Sequence, residues 1–279
     1  MKGVRFRIFE PMMFRAPSEF TPEAKGITLA RSLPVPHPST LAGAIGSVLY
    51  EEGARPSGET WYEELESILG LTSNCMLRGP YIVANNKVYV QYFNDLIDLD
   101  FLYHDVVNVL KEIVTGDAKT LSENLKKLEE LFNENKVELS VQSRTGIGLD
   151  PSKITIRGLI YGADMVDYSC LGDEVFVAID VIGDINFDKI AGKVIKLGGE
   201  GRISKIELEE PLLTNKIREN KKKGEKGYAL YLISPALFKT KNELKSCKLS
   251  AKLSTFPSPF DLLKEKLKLD VSMIIGRVS

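Results

Sequence analysis

The stretch Glu174-Val175-Phe176-Val177-Ala178-Ile179-Asp180-Val181 decides the fold. It is nearly continuously apolar over the length of one strand, as a central strand covered on both faces would be. Such a strand needs neighbours, and the chain offers them. Val4, Phe6 and Ile8 alternate with Arg5 and Arg7, the two-residue period of a half-buried strand. Tyr81–Ala84 and Lys87–Gln91 flank Asn85-Asn86, a pair that tolerates hairpin turns. Ile154–Tyr161, Val194–Leu197, Ile203–Leu208 and Tyr228–Ile233 are further strand candidates.

Helical spacing separates these strands. Leu41, Ile45, Val48 and Leu49 fall on one helix face, with Ser39 or Thr40 as cap and Gly53 as stop. A shorter helix covers Trp61 to Leu69. Helices return at Val106–Val114 and at Leu121–Phe132, the latter opened by Thr120 and Glu123 in capping-box spacing. Asn215–Lys223 reads as a polar helix or loop. The segment from Pro11 to Pro38 has no period and reads as a long loop. Strands and helices alternate in both halves. The expected architecture is α/β (α+β), with sheet on one side and helices on the other.

Length and composition narrow the function. A chain of 279 residues implies one large or two medium domains. With 43% hydrophobic and 27% charged residues it can bury a full core. No apolar run is long enough to span a membrane, and the start lacks a secretory signal. Cys75, Cys170 and Cys247 lie far apart without a CxxC, so neither a disulfide framework nor a zinc site is expected, and a cytoplasmic setting is. The net charge of −1 lacks the basic excess of a free-standing nucleic-acid binder. Any RNA contact is therefore local and shared with protein partners.

Four segments carry candidate function. Leu197-Gly198-Gly199-Glu200-Gly201-Arg202 packs three glycines into four residues. Clustered N–H groups there can hold an anion and Arg202 can fork a phosphate, although a plain hairpin turn fits equally well. No Gly-Lys-Ser/Thr follows, so it is not a nucleotide P-loop. Arg144-Thr145-Gly146-Ile147-Gly148-Leu149-Asp150, with Lys153 and Arg157 beyond, is a second flexible and cationic segment, or a solvated hairpin. The N-terminal loop carries Phe14, Arg15, Phe20, Lys25 and Arg31 ahead of the helix start Pro36–Gly43. Aromatics beside arginine can stack on unpaired bases, and a helix start attracts phosphate; for each phenylalanine alone, a core anchor is the simpler role. The densest basic run is Lys216, Arg218, Lys221, Lys222, Lys223 and Lys226, which most often means a solvated face.

Enzymatic constellations are missing. His37 and His104 show no ligand spacing with each other or with cysteine. No GxSxG elbow occurs. Asp95, Asp98, Asp100 and Asp105 form an acidic cluster better suited to capping and solvation than to a cation. No cofactor is expected.

In order along the chain, Phe14-Arg15 and Phe20 in the Pro11–Phe20 stretch, Pro38-Ser39-Thr40-Leu41-Ala42-Gly43-Ala44, Arg144-Thr145-Gly146-Ile147 with Leu149-Asp150 and then Gly158-Leu159-Ile160-Tyr161, and the Leu197–Arg202 turn resemble the RAMP superfamily of CRISPR proteins. The resemblance is to the family of subunit three of the type III-B, or Cmr, effector complex, related to the Cas-five group. Ile45-Gly46-Ser47 stands where that family has a helix arginine, and members usually continue past a segment like Ile275-Gly276. The resemblance implies two ferredoxin-like (RRM-like) units with glycine-rich loops and inserted hairpins, divided here as residues 1–165 and 166–279. It implies a non-catalytic scaffold that holds the 5′ tag of the CRISPR RNA. The partners implied are the large Cas-ten-type subunit and a backbone RAMP subunit. The residues expected at the RNA are Phe14, Arg15, Arg31, Ser39, Thr40, Arg144, Gly146, Lys153, Arg157, Gly198, Gly199 and Arg202. The alternative is a metal-free CRISPR RNA-processing endoribonuclease with His37 as its acid or base, paired with Tyr50 or a lysine.

Overall fold

A computed structural model describes residues 1–16, 28–70, 76–115, 118–183 and 185–219. The first strand, β1 (Lys2–Ile8), buries Val4 and Phe6 as its alternation predicts. Each such buried side chain is worth ~1.5–3 kcal/mol. After β2 (Thr28–Ala30) comes α1 (Pro38–Glu51), with Leu41, Ile45, Val48 and Leu49 buried on one face. Neither Ser39 nor Thr40 caps it. Pro38 opens the helix, His37 holds the cap position through its backbone, and Thr40 N–H donates to the His37 carbonyl at 2.9 Å. Proline suits that position because its missing N–H has no helical partner there. Gly53, at φ +96°, ends the turn after α1 as expected.

The capping box that does form is Thr60 with Glu63, at the head of α2 (Trp61–Ile68). Next come β3 (Met76–Ala84) and β4 (Lys87–Tyr92), joined through Asn85 and Asn86, both at positive φ. β5 (Asp95–Asp98) leads into α3 (Leu99–Phe101), a π-helical segment over Leu102–Val106 and α4 (Val107–Thr115). α5 (Ala118–Asn135) starts before Thr120, which lies inside the helix rather than at its cap. β6 (Lys136–Val137), β7 (Ser140–Leu149), β8 (Thr155–Asp167), β9 (Val175–Ile182), α6 (Phe187–Ile190), β10 (Val194–Lys196), β11 (Ile203–Glu209) and α7 (Leu212–Glu219) complete the order.

Eight strands form one sheet in the order β10-β11-β1-β9-β3-β4-β5-β6, every pairing antiparallel. β9, buried from Val175 to Val181, sits centrally between β1 and β3. The path β1-α1-β3-β9-α6-β11, with neighbours β11-β1-β9-β3, is a β-α-β-β-α-β arrangement of ferredoxin-like type. Its strands come from both sides of residue 165, and β8 itself spans that position. No second such arrangement is completed among the described residues. The expected strand Tyr228–Ile233 and most of the basic run lie outside them.

The helices do not share one side of the sheet, a departure from the sandwich expected above. α1 and α6 cover the face bearing Val4, Phe6, Ile82, Val177 and Ile179. Leu99, Leu102 and Val106 of the α3–α4 region and Leu213 of α7 cover Tyr81, Val83, Phe176 and Ala178 on the other. β9 needs cover on both faces, which its nearly continuous apolar sequence demands. Among the described residues no helix is long and apolar enough to cross a membrane.

A separate three-stranded sheet, β2-β8-β7, forms an arm. β8 pairs with β7 in a long hairpin and runs parallel to β2.

Candidate nucleic-acid interface

Most of the residues expected at the RNA converge where the arm joins the main sheet. Beyond β1 the chain runs beside β8, and Met12 and Val166 exchange two backbone hydrogen bonds of 2.9 and 2.8 Å. The next carbonyl, that of Met13, receives the Gly199 N–H at 2.8 Å. Gly198 comes so close that a Cβ there would lie 2.4 Å from the Met13 oxygen, and its φ is +75°. Only glycine fits that approach. The turn closes through Leu197 N–H donating to the Arg202 carbonyl at 2.9 Å. The glycine-rich segment is thus a hairpin turn between β10 and β11, docked on Met13 in the segment that follows β1. Its Gly199 amide serves a protein carbonyl and is not offered to an anion.

Two further expectations are corrected by burial. Phe14 is 3% exposed and its ring lies in the main core. Its N–H donates to Ser32 Oγ at 2.8 Å and its carbonyl accepts from Leu33 N–H at 2.6 Å. It anchors the loop and presents no ring for stacking. Arg202 is 7% exposed. Its guanidinium pairs with Glu10 and donates to Met165 Sδ at 2.8 Å. It braces the turn against the arm instead of forking a phosphate.

The arm carries the exposed members of the set. Arg144 stands opposite Ala163, and Ala163 opposite Ala30, so the three form one row across β7, β8 and β2. Arg31 follows Ala30, and its carbonyl accepts the Ala16 N–H at 2.8 Å; Arg15, also exposed, pairs with Ser32. Lys153 lies exposed at the hairpin tip with φ +63°. There Asp150 Oδ1 accepts the Ile154 N–H at 2.8 Å. Arg31, Arg144 and Lys153 enter no ion pair among the described residues. Alternation along the strands puts exposed Leu29, Ile147 and Ile160 on the face opposite Arg144. Arg157 lies in β8, its side chain outside the described residues. Ser39 is exposed and Thr40 half-buried in the first turn of α1.

Tyr161 was not among the expected residues, yet it organises the junction. It pairs with Gly146 across the hairpin, and a Cβ on Gly146 would meet its ring at 2.1 Å. Its hydroxyl donates to Glu200 Oε1 at 3.1 Å, tying the arm to the glycine-rich turn. Burial first, and then the Glu200 carboxylate, push the phenol above its ordinary pKa, so it stays a donor. Glycine facing an aromatic across two strands was the available signal.

Three members of the acidic cluster are engaged in ion pairs or a helix cap. Asp98 pairs with Lys87 at 2.9 Å and caps α3, Asp95 pairs with Lys136 at 3.5 Å, and Asp100 pairs with Lys216. Among the described residues no group of three or more His, Cys, Asp and Glu side chains is placed to hold a metal. His37 and Tyr50 sit at opposite ends of α1, about 20 Å apart at ~1.5 Å per residue, so the two do not form one acid–base pair.

Comparison with known proteins agrees with this arrangement. A family model described as CRISPR-associated protein (Cas_Cmr3) matches residues 9–100 and 114–278. The CRISPR system CMR subunit Cmr3 of Saccharolobus solfataricus is 31% identical over 226 residues, covering 78% of this chain and 67% of that protein. Two similar solved chains come from cryo-EM structures of the type III-B Cmr-beta. One, bound to cognate target RNA and AMPPnP in state 1, matches with TM-score 0.55 and 26% identity, over 75% of this chain and 63% of that one. The other, bound to cognate target RNA, matches with TM-score 0.55 and 28% identity, over 75% of this chain and 64% of that one. The present chain therefore spans less than two thirds of either solved chain. With nearly its whole length matched by the family model, this chain belongs to the Cmr3 family of type III-B CRISPR–Cmr complexes.

Proposed function

We propose that this chain is a non-catalytic scaffold subunit that holds the 5′ tag of the CRISPR RNA within a type III-B Cmr complex. It docks the large Cas-ten-type subunit and a backbone RAMP subunit in the cytoplasm, in antiviral defence. The second ferredoxin-like unit expected from the resemblance belongs to the same proposal. The observation that carries the RNA contact is the arm, where Arg31, Arg144 and Lys153 are exposed and outside every ion pair among the described residues. Exposed cations outside those ion pairs suit a phosphate backbone, and the exposed Leu29, Ile147 and Ile160 suit splayed bases or a neighbouring subunit. A net charge of −1 fits one wall of a shared channel better than a free-standing binder.

The test replaces Arg31, Arg144 and Lys153 together with glutamine and measures binding of tagged CRISPR RNA by the assembled complex. Affinity falls about tenfold or more at moderate salt, and the log–log salt slope flattens by roughly 2, at ~0.7 per phosphate contact for single strands. Binding and slope equal to those of the parent complex would overturn the assignment. Specific cutting of repeat RNA by the purified chain in EDTA, lost in His37→Ala, would overturn its non-catalytic part.

A further inference from the structure

Asp180 is the one fully buried carboxylate among the described residues, and the RNA contact proposed above makes no use of it. It lies in β9 on the face opposite α1, in line with Phe176 and Ala178. Two donors satisfy it. The Tyr81 hydroxyl donates to Oδ1 at 2.5 Å, and the Thr214 backbone N–H donates to Oδ2 at 2.6 Å.

Tyr81 reaches this carboxylate because β3 slips register. Arg78 stands opposite Asp180, so in a regular ladder Pro80 would stand opposite Ala178. The shift between Arg78 and Tyr81 puts Tyr81 there instead. Moving a side chain by one residue moves it to the other face of a sheet, and irregularities of this kind re-aim side chains. Without the slip, Tyr81 would point toward α1. Burial first, and then the charge of Asp180, push the phenol far above its ordinary pKa, so it remains a proton donor. Arg5, opposite Ala178, stands on the same face and holds its guanidinium over the Phe176 ring at 5.9 Å from the centroid.

The second donor gives the carboxylate its role. Thr214 is the third residue of α7, and N–H groups of a first turn have no partner inside their own helix. Asp180 supplies that partner from a distant strand, with the negative charge at the end of the helix that favours it. Leu213 is buried beside Tyr81 and Phe176, and Lys216 pairs with Asp100 one turn on. The head of α7 is thereby fixed in two directions on the sheet.

We infer that Asp180 is a positioning residue for α7: with Tyr81 holding one oxygen, it fixes the head of the helix on the sheet.

The test is amide hydrogen exchange on the full chain. Asp180→Asn keeps the shape of the side chain but removes the negative charge, so the Thr214 amide is left with a neutral acceptor in place of a charged one. Exchange over residues 212–219 accelerates by roughly tenfold to a hundredfold, the range expected for losing a hydrogen bond to a charged group, while residues 2–8 and 175–182 keep the parent rates. Should Asp180→Asn fail to fold, Tyr81→Phe reads the same device, with about threefold to tenfold faster exchange confined to 212–219. Lys216→Met is the companion variant, loosening the later turn while the Thr214 amide stays protected. Parent-like protection of 212–219 in the Asp180 or Tyr81 variant overturns the inference. So does acceleration of the strands in step with α7, which makes Asp180 a stabiliser of the sheet as a whole.

Discussion

Tyr161 covers Gly146 so closely that a methyl group on that glycine would stand 2.1 Å from its ring. The pair joins β7 to β8, and the Tyr161 hydroxyl continues the connection to Glu200. The glycine therefore serves space and not flexibility. Gly146→Ala displaces the ring and lowers stability by about 1 kcal/mol, because the clash is with the far end of a flexible side chain and not with backbone. Tyr161→Ala alone costs a similar amount through lost cover of the arm. The two changes are less than additive, since the close contact of the alanine at 146 disappears with the ring. Urea unfolding of both single variants and the double variant measures this; full additivity would show that the ring and the glycine act separately.

Gly198 and Gly201 share one turn and both have positive φ, yet they serve different needs. A side chain at Gly198 collides with the Met13 carbonyl, a backbone atom that cannot move aside, whereas one at Gly201 meets nothing within 4 Å. Gly201→Ala carries only the left-handed backbone penalty, ~1 kcal/mol. Gly198→Ala adds the collision and the loss of the neighbouring Gly199–Met13 hydrogen bond, for roughly 3 kcal/mol in all. Thermal unfolding of the two variants ranks them. Equal losses would mean that the docking of the turn on Met13 contributes nothing.

The sequence carries the strands and α1 openly because burial writes itself as period. β9 is nearly continuously apolar, so its central place follows from residues alone, whereas the alternation of β1 marks a half-buried strand and not its position in the sheet. The stripes of α4 and α5 announce helices but not which face of the sheet they cover, since the same stripe serves either. β8 runs to Asp167, well past Tyr161, because Gly162 and Asp164 interrupt any pattern while their partners across the ladder support them. At the candidate site, glycine and arginine mark segments that meet at the junction, but not the partners they find there. Arg202 reads like any surface arginine; its partners Glu10 and Met165 lie 192 and 37 residues away.

Arg202 and Arg144 should consequently respond in opposite ways. Arg202→Met leaves Glu10 without its partner and unbraces the turn, with an expected loss of about 2–3 kcal/mol, below the value for a fully buried pair because Glu10 is partly exposed. Arg144→Gln removes an exposed charge and leaves stability within ~0.5 kcal/mol. Under the proposed function its effect is on RNA binding in the assembled complex. Melting temperatures together with RNA binding separate the two: a destabilised Arg144→Gln, or an Arg202→Met of unchanged stability, contradicts the placement of these side chains.

The end of the arm nearest the core also carries an acid-sensitive contact. Asp167 accepts the Ser169 N–H at 2.9 Å, capping the short turn Ser169–Leu171, and accepts from Gln142 Nε2 at 2.9 Å across the hairpin. The Ser169 amide, followed in effect by opposing desolvation and then by the Ser169 and Gln142 side chains, holds its carboxyl below the ordinary value of 3.8. A carboxyl lowered in the folded state stabilises above its unfolded pKa and loses that contribution as pH falls through the folded value. The parent is therefore more stable than Asp167→Asn at neutral pH, and the difference narrows only below about pH 4, as the carboxylate takes up its proton. Urea midpoints for the two proteins between pH 7 and pH 2.5 trace the difference. A gap that stays constant across that range would show that the carboxylate charge plays no part in holding the turn.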